Sequence, residues 1–291
     1  MEAAAINLTS PAQLASLFAA HGFRPRKRLG QHFLVDRNVL QKVIGAAELT
    51  ARDQVLEIGA GAGTLTQELA AAGRLVALEL DKRLEPILRE ALAGRGEVEV
   101  VIGDALRLDL GRWLSEGRWK VVANLPYYVT SPLIARLLEF RANVSRLVLM
   151  LQEEVAARLL APPGAREYGS LSVFVQCYCE GVRAARVSRR CFYPRPEVDS
   201  ALVRLELRKQ PVASERLAPL FFRVVHAAFG RRRKTLRNAL ASLQGLAGDE
   251  LLEVLAAAGI EPGRRGETLA PEDFARLAAA WAAIRGERGT P

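Results

Sequence analysis

No apolar run in the 291 residues approaches the roughly 18 to 20 needed to cross a bilayer, so the sequence offers no candidate membrane span. A secretory leader is missing too: Glu2 stands where a basic segment belongs, and Gln13 and Ser16 interrupt the apolar residues after it. The chain therefore reads as cytoplasmic. Cysteine is scarce, with Cys177, Cys179 and Cys191 odd in number and without ligand spacing, which excludes a disulfide framework and gives zinc no site. The histidines His21, His32 and His226 are scattered. Neither a metal nor a nucleophilic-cysteine mechanism has residues to work with.

Acidic residues fall short as well: 32 Asp plus Glu face 41 Lys plus Arg, leaving a formal +9 and a pI near 9.9. An excess of this size suits a polyanionic partner. Its distribution sharpens the point, because Arg223, Arg231, Arg232, Arg233, Lys234 and Arg237 form a stretch with no acid in it, and Arg24, Arg26, Lys27 and Arg28 form a second cluster. The expectation is an RNA-binding run over Arg223 and 231–237.

What the chain has in plenty is alternation. Short apolar strands are expected over 55–58, 75–80, 98–102, 121–123 and 147–151, with helices over 65–72, 84–93, 132–138 and 153–160 between them. Ahead of these, Ser10-Pro11 starts a short helix and Asp36 caps another. Continuous apolar strands separated by helices describe an α/β fold with a parallel sheet covered on both faces. After a possible strand over 182–187, a turn-rich Cys191-Phe192-Tyr193-Pro194-Arg195-Pro196 and an alternating strand over 201–207, only helical periodicity remains. The expected division is residues 1–209, an α/β domain with an N-terminal helical extension, and residues 210–291, a small all-helical C-terminal domain.

The first strand runs into Gly59-Ala60-Gly61-Ala62-Gly63 and then a helix, the geometry that lets a nucleotide-like ligand approach the backbone. Glu79 stands twenty residues on, at the end of the next strand, placed to accept from ribose hydroxyls, and Asp104 ends the third, placed to accept from an adenine amine. Two cofactors fit, a nicotinamide dinucleotide or S-adenosylmethionine. Thr64 stands where the dinucleotide fingerprint has its third glycine, and Glu57 before the loop suits adenosylmethionine better.

Six ordered motifs then carry a resemblance: Gly30-Gln31-His32-Phe33-Leu34, Glu57-Ile58-Gly59-Ala60-Gly61-Ala62-Gly63, Glu79-Leu80-Asp81, Gly103-Asp104-Ala105, Asn124-Leu125-Pro126-Tyr127 and the run from Phe192 to Ser200. In this order and approximate spacing the chain resembles the ribosomal RNA adenine dimethyltransferases, most of all their bacterial small-subunit branch. The resemblance covers nearly the whole length. It implies a Rossmann-like S-adenosylmethionine-dependent methyltransferase fold. It implies that Gln31, His32 and Leu34 close the methionine end of the cofactor, that Gly59 and Gly61 cradle it, that Glu79 holds the ribose with Leu80 beside it, that Asp104 and Ala105 meet the adenine, and that Asn124 also touches the cofactor. The implied reaction adds two methyl groups to N6 of each of two adjacent adenosines in the 3′-terminal hairpin loop of 16S rRNA, within a small-subunit precursor, by a monomer. Two relatives of other function remain open: a dimethyltransferase of 23S rRNA conferring antibiotic resistance, and an RNA-binding assembly factor that needs no catalysis.

An adenine amine is a poor nucleophile because its lone pair is delocalised into the ring. Acceptors for the amine hydrogens, held rigidly, turn that lone pair toward the methyl group. The Asn124 side-chain oxygen and the Leu125 carbonyl are the expected acceptors, with Pro126 fixing the turn next to them. Tyr127 is expected to stack on the base, and by resemblance Phe192 covers its other face, with Tyr128 undecided between core and site.

Overall fold

The structure, a computed structural model, describes residues 6–94, 96–126, 129–230, 234–243, 246 and 248–287. Its strands, in chain order, are β1 (Phe33–Leu34), β2 (Gln54–Ile58), β3 (Arg74–Glu79), β4 (Val98–Ile102), β5 (Trp119–Asn124), β6 (Val144–Gln152), β7 (Cys179–Val187), β8 (Phe192–Tyr193) and β9 (Ser200–Leu207). β1 and β8 pair antiparallel as a two-stranded ribbon, and the other seven form one sheet in the order β4-β3-β2-β5-β6-β9-β7. Neighbours from β4 to β6 run parallel, whereas β9 runs antiparallel to β6. Because the chain lays β3 and β4 on one side of β2 and then returns to lay β5 on the other, the strand order reverses at β2 and β5. A crevice opens at the carboxyl ends of that pair, which is where open α/β sheets take their ligands.

Val55 and Leu56 of β2, Val76 and Ala77 of β3, and Val121 and Val122 of β5 are fully buried, as strands covered on both faces require. Helix α1 (Pro11–Ala20) starts where the Ser10 hydroxyl accepts from the Gln13 amide ahead of a first-turn proline. Its Leu14, Leu17 and Phe18 pack with Phe23, Phe33 and Ile87. Helix α2 (Arg37–Ala47) is capped by Asp36, whose Oδ1 accepts from the Val39 amide at 2.9 Å, and it lays Val39, Val43 and Ala47 against Val55, Leu75, Val122 and Val148. Helix α3 (Thr66–Leu69) is shorter than the expected 65–72, because the chain must turn at Gly73, where a Cβ would sit 2.5 Å from the Ala51 carbonyl oxygen. Helices α4 (Glu85–Ala91), α5 (Gly111–Leu114) and α6 (Thr130–Glu139) complete this part, and α7 (Glu153–Leu160) leads out of it.

The two compact units are not the two consecutive segments expected. One comprises Met1–Ala156 with Gly181–Leu207, and the other Ala157–Glu180 with Arg208–Pro291. The physical reason is burial. Helix α8 (Ser170–Tyr178) and the turn before it contribute Ala161, Tyr168, Val173 and Cys177 to the same apolar cluster as Phe221, Leu255, Phe274 and Trp281. Those partners lie on α9 (Ala218–Gly230), α11 (Gly248–Ala257) and α12 (Pro271–Glu287), with α10 (Leu236–Leu240) supplying Leu236 and Leu240. The buried Tyr168 hydroxyl donates to the Leu269 carbonyl at 2.7 Å, so even its polar end is satisfied within this unit.

Among the described residues, no helix is long and apolar enough to cross a membrane. A fragment of residues 1–209 separates Tyr168, Val173 and Cys177 from the cluster that covers them. It should therefore bind a hydrophobic dye such as ANS strongly at neutral pH, where the full chain binds little. Equal dye fluorescence from both would contradict the division.

Candidate active site

The carboxyl ends of β2, β3, β4 and β5 converge on a cavity of about 370 Å³, within the ~300–1,000 Å³ typical of small-molecule sites. Every residue expected to hold the cofactor lines it: Gln31, His32, Leu34, Gly59, Gly61, Glu79, Leu80, Asp104, Ala105 and Asn124. The glycine loop has the backbone that its sequence demands, with Gly59, Gly61 and Gly63 at φ of 82°, 60° and 94°. A Cβ on Gly61 would meet the Phe33 ring at 3.2 Å, and one on Gly59 the Asn124 carbonyl oxygen at 3.1 Å, so side chains there would fill the cradle.

Glu79 is buried yet fully engaged. Its Oε2 accepts from the Gly61 amide and its Oε1 from the Asp81 amide, each at 2.8 Å. Burial pushes its acidity down and these donors pull the other way, with burial the larger effect. Asp81 carries the network onward. Its Oδ2 accepts from the Gln31 amide nitrogen at 2.9 Å, while Gln31 Oε1 accepts from the Arg26 amide at 2.7 Å. Arg83 binds both Asp81 oxygens and stacks over Phe23 at 4.8 Å. Burial alone would raise Asp81, but the Arg83 and Gln31 hydrogen bonds outweigh it and hold the carboxyl below its ordinary range. In the sequence Asp81 stands out only as part of a motif; its pairing with Gln31, fifty residues earlier, has no signature in spacing. Both polar ends of Gln31 are thus used in fastening the segment before β1 to β3.

Glu57 also lines the cavity, but is 1% exposed and neither carboxyl oxygen has a hydrogen-bond partner. Desolvation pushes it up to about 8; the Thr66 hydroxyl, near but without a closed hydrogen bond, opposes this, and repulsion from Glu79 adds a smaller push upward.

At the end of β5 the Asn124 side-chain nitrogen donates to the His32 carbonyl at 3.0 Å, which turns the amide's oxygen away from that bond. His32 in turn bonds the Pro194 carbonyl through Nδ1 at 2.8 Å. Pro126 lines the cavity and its carbonyl accepts from the Val129 amide at 3.2 Å, closing the turn, whereas Leu125 is buried and donates its amide to the Met150 carbonyl. Tyr127 and Tyr128 lie outside the described residues. Phe192 departs from expectation: it is 3% exposed, packed with Leu34, Val39, Met150 and Leu202 instead of facing the cavity, so in this structure it offers no surface to a base. Strand alternation explains the difference, since pairing of β8 with β1 turns Phe192 inward and Tyr193 out. Arg223, Lys234 and Arg237 are exposed on the helical unit, where Arg223 lies over the Trp281 ring at 5.0 Å; Arg231, Arg232 and Arg233 lie outside the described residues. Among the described residues, no group of His, Cys, Asp or Glu is arranged to hold a metal ion.

The family model for ribosomal RNA adenine dimethylases matches residues 22–282. The chain belongs to this family. Two curated relatives, both called ribosomal RNA small subunit methyltransferase A, are similar along nearly their full length: that of Moorella thermoacetica is 49% identical, covering 93% of this chain and 97% of the relative, and that of Pelotomaculum thermopropionicum is 50% identical, covering 94% and 97%. Among solved structures, a dimethyladenosine transferase from Plasmodium falciparum superimposes with a TM-score of 0.77 at 27% identity, covering 87% of this chain and 98% of that one. The 23S rRNA methyltransferase ErmE gives 0.70 at 29% identity, covering 86% and 99%. This dimethylase-family chain is accordingly a methyltransferase on a mixed sheet with a helical C-terminal region, as the alternation of strands and helices anticipates.

The carboxylates of this methyltransferase set two expected outcomes. A carboxyl raised on folding binds its proton more tightly in the native than in the unfolded state, so its contribution to stability is present at low pH and lost as pH climbs from about 4.5 toward about 8. Glu57→Gln removes that penalty. The melting temperature of the variant minus that of the wild type should grow between about pH 5 and about pH 8, and a constant difference would contradict the burial argument. Gln31→Glu sets two carboxylates against each other at Asp81, so hydrogen exchange of the amides over 26–34 should quicken about tenfold, against no change if the pairing holds nothing.

Proposed function

We propose that this protein transfers methyl groups from S-adenosyl-L-methionine to N6 of two adjacent adenosines in the 3′-terminal hairpin loop of 16S rRNA, giving N6,N6-dimethyladenosines on a precursor of the small ribosomal subunit. The observation that carries the reading is the Asn124 amide: its nitrogen is bound to the His32 carbonyl, and the residue lines a nucleotide-sized cavity. The cofactor fits the residues present. Gly59 and Gly61 open a cradle that side chains would fill, Glu79 is held in place by two amides with its oxygens at the strand end, and Asp104 and Ala105 line the far wall. Asp104 is oriented by the Leu106 amide, which donates to its Oδ1 at 2.9 Å. Adenosylmethionine, when bound, supplies a methyl group made electrophilic by its positively charged sulfur.

The protein's share of the chemistry is placement. Asn124 Oδ1 and the Leu125 carbonyl accept the two amine hydrogens, favouring a tetrahedral nitrogen with its lone pair on the remaining direction. Neither is a strong base, and none is required, because the amine becomes acidic only as it gains the methyl group. Tyr127 stacks on the extruded base, which helps offset the few kcal/mol of unstacking. Arg223, Arg231, Arg232, Arg233, Lys234 and Arg237 hold the RNA backbone. The protein acts as a cytoplasmic monomer, without a metal.

Small-subunit rRNA is favoured over 23S rRNA because relatives named for the small subunit are 49% and 50% identical, against 29% for ErmE. A purely structural assembly factor would have no use for the engaged Glu79 carboxylate and the positive-φ glycines, which cost stability where no ligand is bound.

Incubation with methyl-labelled adenosylmethionine and either 16S or 23S rRNA, naked and in assembled subunits, should place label on two neighbouring adenosines of the 16S 3′ hairpin. Absence of label there would overturn the reading. Asn124→Ala should lower methyl transfer by about 100-fold or more while cofactor affinity, measured by equilibrium titration, changes little. Collapse of cofactor affinity instead would remove the acceptor role.

A further inference from the structure

The cationic side chains of the cluster at Arg24, Arg26, Lys27 and Arg28 play no part in the site described so far, to which the cluster contributes the Arg26 backbone amide. The cluster precedes β1, whose antiparallel partner β8 is flanked by further cations. β1 and β8 pair with Phe33 opposite Tyr193 and Leu34 opposite Phe192, and the pairing continues at both ends through the His32 ring to the Pro194 carbonyl and the Val35 amide to the Cys191 carbonyl, each 2.8 Å. The chain entering β1, after the 3-10 turn Lys27–Leu29, and the chain leaving β8 therefore meet the ribbon at the same end, and the reverse holds at the other end. Arg26, Lys27 and Arg28 fall at the end shared with Arg195, and Arg37 at the end shared with Arg189 and Arg190; all are exposed. Between the two groups Tyr193 stands 38% exposed, its neighbour Phe192 filling the core beneath.

Two of the nearby acids, Asp36 and Asp199, are engaged within the protein, while Glu197 is exposed beside Arg195 with its backbone carbonyl bound by Arg189. Asp36 caps α2, and Asp199 accepts from the Arg189 amide and the Arg186 guanidinium. The cationic side chains of Arg26, Lys27, Arg28, Arg190 and Arg195 have no acidic partner among the described residues. One edge of this ribbon is also a wall of the cavity, since Gly30, Gln31, His32 and Leu34 line it.

We propose that the β1–β8 ribbon is an RNA-docking surface of the α/β unit. Its arginines and lysine grip successive phosphates of an unpaired strand or loop, and the Tyr193 ring stacks on a base next to the one that enters the site. Charge fixes the partner as a polyanion, and a single outward aromatic between two cationic ends suits unpaired nucleotides, whose faces are free, better than a duplex, whose bases are already stacked. The inference rests on the reading that RNA is the substrate, and it is additional to the basic run on the helical unit.

The test uses the full chain and a fluorescein-labelled oligoribonucleotide with the sequence of the 16S 3′ hairpin, monitored by anisotropy over a range of salt. Combined Arg28→Gln, Arg190→Gln and Arg195→Gln should lower the log–log salt slope by about 2, at about 0.7 per lost phosphate contact. Tyr193→Leu should weaken binding about tenfold with the slope unchanged, and Tyr193→Phe should bind within about twofold of wild type. Adenosylmethionine affinity should stay the same in all of them, since none of these side chains lines the cavity. Unchanged slope and affinity in the arginine variant would overturn the proposal, and that variant changes exposed side chains alone, so the result stands even if Tyr193→Leu fails to fold. Preference for phosphatidylserine vesicles over the hairpin would overturn it as well. The two readings fail separately: a wild-type protein that binds the hairpin through these residues but transfers no methyl leaves the surface and removes the reaction, and one that methylates while the variants bind normally does the opposite.

Discussion

A buried carboxylate has to be met by donors, and around Glu79 that requirement organises the site. Its two oxygens bind the Gly61 amide of the glycine loop and the Asp81 amide beyond β3, tying two neighbouring strand ends to one group. An unpartnered charge at this depth would cost several kcal/mol, so loop and strand end are fixed in the geometry that satisfies it. The constraint passes outward. Asp81, oriented by the same amide, accepts from Gln31, and Gln31 accepts from Arg26, so the segment before β1 is positioned by a chain of four hydrogen bonds that starts at the glycine loop. His32, in that segment, then fixes Asn124 from one side and the Pro194 carbonyl from the other. Elements that are far apart in sequence become one cavity wall because each step leaves a polar group that the next must satisfy.

Glu57 shows what happens where the requirement is not met. It sits two residues before the glycine loop, on the strand whose end the ligand approaches, and has no donor on either oxygen. Its answer to burial is to keep its proton, whereas Glu79 answers with two backbone amides. Burial raises both carboxyls of the one cavity, and they differ in hydrogen-bond supply and not in depth, which they share.

The strand ends were legible in the sequence because continuous apolar runs stopping at Gly59, Glu79, Asp104 and Asn124 can be read without knowing what lies between them. Their convergence comes from the handedness and parallel pairing of such strands. What could not be read was anything depending on distant pairing. The β1–β8 ribbon joins two-residue strands about 160 positions apart, too short for any periodicity, and one of them falls in a turn-rich stretch around two prolines. That pairing alone decides which of Phe192 and Tyr193 is buried, and local composition has no means to show it. The domain division failed for a similar reason: residues 157–180 have ordinary helical patterning, and nothing local tells which core their apolar face joins.

On the proposed reaction, the placement of acids bears on why a neutral amide, Asn124, stands at the end of β5. A carboxylate beside the amine would bind its hydrogens more strongly, but it would also lie in a cavity already holding Glu57, Glu79 and Asp104, and like charges in a shared low-dielectric space raise one another's proton affinity. A carboxyl that took up a proton there would become a donor and compete with the amine for its own lone pair. An amide oxygen has no such second state. Tied through one N–H to the His32 carbonyl, the Asn124 amide has its orientation fixed and stays neutral at any pH, whatever the charge of its neighbours. The three acids thus stand at the ends of β2, β3 and β4, and the end of β5 carries a neutral group whose orientation is set by the His32 carbonyl.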